Sequence, residues 1–151
     1  MPLADGSWII LSTSAGKLQP VPILFDTGAV ELLRRGHRQA EQWALHYYPP
    51  VICVHVVGEY LFGQLLSEVS SGALLEAREY LESFEILRPD SGTAAIYARI
   101  RSQLKKTGVV LPDPDFWIAA QALQQSVPLA STDRDFEHIA GLRLLYLPPV
   151  R

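Results

Sequence analysis

Asp26, Glu59, Asp115 and Asp133 are the side chains of this sequence whose type and placement could do chemistry together. Asp26 ends the apolar run PVPILFD, and Glu59 lies in VVGEYLFG, just after VICV. Asp115 opens DFWIAAQAL, and Asp133 follows VPLAST and begins DRDF. Each follows an expected strand end or opens an expected helix. In an open α/β sheet those places share one edge, outside the carboxyl ends of the strands. Carboxylates gathered there repel one another and stay ionised only if cations compensate them. An oxygen-only donor set favours hard ions, Mg²⁺ or Mn²⁺. The chemistry implied is metal-assisted hydrolysis of phosphate esters, in which an ion lowers the pKa of the attacking water and steadies charge on the phosphate.

The elements that must position these acids can be read from periodicity. PVPILF is a buried strand, apolar and ended at Asp26. Residues Val30 to Tyr48 read as one helix with Gly36 as its weak point, stopped by Pro49 and Pro50. VICVH is the next strand, and Val57 to Glu68 a helix carrying Glu59. Gly72 to Glu85 is a further helix and EILR a short strand. Ser91 reads as the cap of a helix that ends at Gly108. VVL is a short extended piece. Asp113 reads as a cap, with Pro114 at the first helical position. VPLAS, a short helix DFEHIA and a last strand LRLLYL complete the chain. Strands alternating with helices predict a three-layer α/β/α domain with a central parallel sheet. Residues 1–20 precede the pattern as an extension, and residues 21–151 form the domain.

Composition bounds the function. The chain has 151 residues, 48% hydrophobic and 19% charged, which suits one globular domain. No apolar run approaches the roughly 18 residues that span a bilayer, and WIIL is too short for a signal-peptide core. Cys53 is the only cysteine, so a reducing cytoplasm is the expected location. The formal net charge is −3; setting the four acids aside turns it slightly positive, so an RNA substrate is compatible. Basic residues gather in RRGHR (Arg34, Arg35, His37, Arg38) and in RIRSQLKK (Arg99, Arg101, Lys105, Lys106). Solvated helix faces explain both.

LFDTG, GEYLFG, YARIRSQLKKTG, DPDFWIAAQAL and STDRDF, in this order, resemble the PIN-domain ribonucleases, and among them the toxins of bacterial VapBC-type toxin–antitoxin pairs. The resemblance covers about residues 21–146. It implies a PIN-like fold, cleavage of RNA with Mg²⁺ or Mn²⁺, a small antitoxin partner and a homodimer. Residue by residue, it carries the first-strand Asp onto Asp26, the helix Glu onto Glu59 (with Gly63 one turn on), the Asp before the apolar run onto Asp115, and the acid before the DF pair onto Asp133. Ser131 matches a supporting hydroxyl. Asp135 competes with Asp133 for the fourth place, and Arg134 is a candidate phosphate contact. Two departures stand out. Gly28 occupies a position where the family often has Asn, whose amide would orient the first carboxylate. The first acid also lies further from the start than is usual in the family.

Other readings weigh less. FDTGA is also the signature of aspartic proteases, in which two such loops meet across a dimer; the helix-rich pattern after Ala29 and the three other acids oppose it. A PIN-like module that binds a partner without cutting RNA is the second functional class. His37, His46, His55 and His138 lack zinc-ligand spacing, and SAGK lacks the full phosphate-loop pattern. Cys53, in an apolar strand, reads as a buried small hydrophobe.

Overall fold

The structure, a computed structural model, describes residues 20–67 and 69–148. Apart from Pro20, the expected N-terminal extension lies outside the described residues. Five short strands form one sheet: β1 (Ile23–Phe25), β2 (Pro50–Cys53), β3 (Glu85–Leu87), β4 (Leu129–Ser131) and β5 (Leu144–Tyr146). Their order is β3-β2-β1-β4-β5, and every pairing is parallel. Six helices accompany them: α1 (Thr27–Arg34), α2 (Arg38–His46), α3 (Val54–Leu66), α4 (Ser71–Glu82), α5 (Ser91–Thr107) and α6 (Asp113–Gln125). This is the three-layer α/β/α architecture expected from the alternation. Parallel strands covered on both faces read as continuous apolar runs, and Ile23, Leu24, Phe25, Ile52 and Leu129 are fully buried.

The connections from β1 to β2 to β3 run toward one edge, and β4 and β5 lie on the other side of β1. The chain therefore reverses direction between β1 and β4, and in open α/β sheets ligands bind at that switch point. Asp26 follows β1, and Ser131 ends β4. The FDTGA segment is thus a strand-to-helix junction in an α/β sheet, and the all-β setting of an aspartic protease is absent from the described residues.

Three local expectations need correction. The helix expected over Val30–Tyr48 is two helices, because Gly36 adopts φ 73°, a left-handed conformation that only glycine takes without strain. The cap of α5 is Asp90, whose side chain accepts from the Thr93 amide while the Thr93 hydroxyl accepts from the Asp90 amide; Ser91 is the first helical residue. Asp113 is not a cap either: it lies inside α6, whose cap position is Pro112, and its carboxylate accepts from Tyr97 and Arg101 on α5. Cys53 is buried, as its apolar run predicts.

Candidate active site

Asp26 sits at the switch point because the buried strand β1 ends there and α1 starts one residue later. Its extended backbone makes it the N-cap of α1, and Oδ1 accepts from the Ala29 amide at 2.7 Å. Oδ2 accepts from the Ser131 hydroxyl at the end of β4, so the bond spans the two strands of the switch. The same Ser131 oxygen accepts from the Asp133 amide at 2.9 Å. One buried hydroxyl thus fixes both the first carboxylate and the turn that carries Asp133. Asp133 in turn caps the 3₁₀ turn Arg134–His138, with Oδ1 accepting from the Asp135 amide at 2.8 Å.

Glu59 projects from α3, which follows β2, and its Oε2 accepts from the Thr27 hydroxyl at 2.8 Å. Thr27 is the side chain of this cluster that sequence reasoning left without a role. Its signal was present: a hydroxyl directly after Asp26, at the first position of α1, beside the strand that launches the Glu59 helix. Asp115 stands in the first turn of α6 and is half-buried. Behind it the apolar face of the helix, Ile118, Ala119 and Ala122, is locked into the core.

These groups share one electrostatic neighbourhood. Asp26, only 6% exposed, has its pKa raised to about 6, chiefly by burial, with the charges of Asp133 and Glu59 pushing the same way against its two hydrogen bonds. Asp115 is raised to about 7, again mainly by burial, then by Glu59, Asp26, Asp133 and Asp135. Asp133 acts on both buried acids, and Asp135 is the weakest of the four acids named at Asp115. Arg134 is already engaged: it pairs with Glu137 at 3.0 Å and lies over the Tyr146 ring. His55 stacks on Trp117, in keeping with a packing role.

The donor set is the one a hard divalent ion takes, oxygen only, and a cation beside the raised acids would favour their charged forms. As the side chains stand, no three His, Cys, Asp or Glu groups among the described residues lie close enough to hold an ion. The carboxylates feel one another without enclosing a point.

Residues 23–142, from β1 through the loop before β5, match the family model of the PIN domain. The chain belongs to the PIN domain family. It is 29% identical over 130 residues to a protein named Ribonuclease VapC from Rickettsia bellii, covering 83% of this chain and 96% of that one. Among solved structures it superposes on FitAcB from Neisseria gonorrhoeae with TM-score 0.68 and 28% identity, over 82% of this chain and 96% of that one. It also superposes on a toxin–antitoxin complex from Klebsiella pneumoniae with TM-score 0.63 and 25% identity, over 82% and 95%. The similarity to a named ribonuclease agrees with a nuclease and leaves the protease reading of FDTGA without support.

Proposed function

We propose that this PIN domain is a divalent-metal-dependent endoribonuclease and the toxin of a toxin–antitoxin pair. The observation that carries the reading is the gathering of acids at the switch point of a PIN fold, where Ser131 joins Asp26 to the turn carrying Asp133 and Thr27 holds Glu59 beside them. Asp26 and Asp115 would hold the ion, Mg²⁺ or Mn²⁺, with Glu59 and Asp133 completing the set as the carboxylates close around it. When bound, the ion supplies Lewis-acid stabilisation of the phosphate and acidifies a water. The chain's own residues do the rest. Ser131 and the Ala29 amide fix the orientation of Asp26, and the Thr27 hydroxyl fixes that of Glu59. The two raised acids give up their protons to solvent as positive charge arrives. Water adds to phosphorus, the bond to the leaving oxygen breaks, and that oxygen takes up a proton.

The partner follows from charge and from the relatives. The toxin–antitoxin complex from Klebsiella pneumoniae shares this fold, and a cluster of carboxylates attracts a guanidinium fork as readily as a metal. A small antitoxin placing an Arg among the acids would silence the site. Phe62, Leu65 and Leu66, spaced i, i+3, i+4 on α3, are 60%, 60% and 68% exposed. That apolar stripe suits a partner or a second copy of the chain.

Asp26→Asn keeps shape and removes the charge. The expected result is loss of Mn²⁺-dependent RNA cleavage with the fold retained by circular dichroism. Wild-type expression should slow bacterial growth, and the variant should not. A wild type that cuts no RNA with either ion, and is as harmless as Asp26→Asn, overturns the reading. The open spacing of the acids favours one rival, a module that binds a partner without cutting. Calorimetry separates the two, because the module takes up no Mn²⁺.

A further inference from the structure

A groove of about 1120 Å³ opens beside the acids. Its inner end is Gly28 and Thr132, which are neighbours in sequence of Asp26 and Asp133. From there it runs out along the turn between α1 and α2, past Arg35, His37 and Arg38, then Gln39 and Gln42. Its volume exceeds the roughly 300–1,000 Å³ of small-molecule sites, so it suits a chain of several units. We propose that this groove carries single-stranded RNA away from the acids, with the nucleotide next to the cleaved phosphate seated against Gly28 and Thr132 and the following phosphates held at Arg38 and His37. The inference rests on the nuclease reading and adds where its substrate lies.

The charges favour phosphate. Glu31 also lines the groove, but its carboxylate is occupied on both oxygens, by Arg35 at 2.6 Å and by the Tyr60 hydroxyl at 2.8 Å. Arg38 forms no ion pair among the described residues. His37 Nδ1 accepts from the Ala40 amide, which leaves Nε2 as the donor of the neutral ring. The amides of the first turn of α2 add fixed partial positive charge to the same wall. Arg38 and the His37 ring, with the amide side chains of Gln39 and Gln42 beside them, suit a single strand whose phosphates need neutralising and whose base edges stay free to be read.

Gly28 shapes the inner end. A Cβ built there would collide with Thr132 Oγ1. A larger residue at this position could not coexist with the Thr132 hydroxyl as it stands. The Thr132 hydroxyl takes over that volume and presents a donor and acceptor at the mouth of the acids.

The test uses the full chain, a short fluorescent single-stranded RNA of mixed sequence, and a chelator to stop cleavage. Arg38→Glu is expected to weaken binding roughly tenfold and to flatten the salt dependence by about 1 in slope. The same charge change at Arg78 on α4 is expected to do neither. In cleavage assays with Mn²⁺, Thr132→Ala should raise KM severalfold with little change in kcat. If the wild type cleaves RNA with Mn²⁺ while Arg38→Glu binds as the wild type does, the track is overturned and the nuclease reading stands. If Arg38→Glu spares RNA but releases a co-purifying protein, the groove docks a protein and the track is overturned. If no RNA is cleaved with either ion, the nuclease reading fails and the track with it.

Discussion

Two pairs of aspartates occupy similar places in this molecule and behave oppositely. Asp26 and Asp115, at a cap and in a first helical turn, are pushed up to about 6 and about 7. Asp90 and Asp113, also at a cap and in a first helical turn, are held below the usual carboxylate range. Helix position does not separate them. Burial does first, and the company of donors or acids second. Asp90 receives the Thr93 amide and the Gln124 amide at 2.9 and 2.8 Å, and Asp113 receives Tyr97 and Arg101. At the seam between α5 and α6 each carboxylate has private partners, so its charge is settled within the chain. At the switch point Asp26 has two donors but is buried among acids, and Asp115 is pushed up by burial and four acidic neighbours. Such an acid keeps its proton unless a cation comes to favour the charged form.

Asp113 and Asp115 are two residues apart on the same helix, so they give the sharpest form of the comparison. Asp115→Asn is expected to cut metal-dependent RNA cleavage by about 10³-fold or more, on the scale of losing a group that stabilises charge in the reaction. Asp113→Asn is expected to change it by no more than about twofold, since its role is surface pairing. Steady-state cleavage of one RNA by both variants decides it, and comparable losses would erase the distinction between the two pairs.

This contrast also marks what the sequence could show. The acids were legible because strand ends and helix starts were legible: PVPILF ends at Asp26 and VPLAS ends at Ser131, and a parallel sheet puts both ends on one edge. The FDTGA segment, ambiguous alone, is resolved by the helical pattern that follows it. What could not be read were contacts between elements distant in the chain. Thr27 donating to Glu59, Tyr97 and Arg101 claiming Asp113, and Thr132 filling the place left by Gly28 all depend on how helices sit against one another. Local signals misassigned caps for the same reason: Ser91 and Asp113 are good cap types, and Asp90 and Pro112 took the positions. Gly36 was visible as a weak point, but whether it bends or breaks a helix depends on the packing of α1 against α2.

The second way to break the comparison is pH. For Asp26 and Asp115 the folded pKa lies above the unfolded one, so the folded state binds more protons between about pH 4 and 7. Unfolding free energy contributed by these groups therefore falls as pH rises through that window, and the penalty is complete above the folded pKa. For Asp26 alone the raised pKa corresponds to about 3 kcal/mol at neutral pH. Asp90 and Asp113 have the opposite sign: their contribution is present above the unfolded pKa and is lost as pH falls through the lower folded one. In chelator, the Tm of the wild type should decline from about pH 4 to pH 7 relative to Asp26→Asn, which has no charge to bury. Millimolar Mn²⁺ should remove that decline and release protons at pH 7. A wild type and Asp26→Asn that run parallel across this range, with or without Mn²⁺, would mean that the switch-point acids are not strained by their own charge.

The smallest expected effect lies at the quiet end of the comparison. Thr93 is fully buried, and its hydroxyl accepts from the Asp90 amide and reaches the Gln124 side-chain oxygen. Thr93→Val keeps the volume and removes the hydroxyl, leaving an amide and a carbonyl oxygen without that partner. The cost should be about 1–2 kcal/mol of stability, the range for a lost cap or an unsatisfied buried group. It should appear as a lower denaturant midpoint with an unchanged slope. Cleavage below the transition should match the wild type, because this seam touches neither the acids nor the groove. Were Thr93→Val to lose cleavage without losing stability, α5 and α6 would be transmitting position to Asp115, and the α5–α6 seam would belong to the active site.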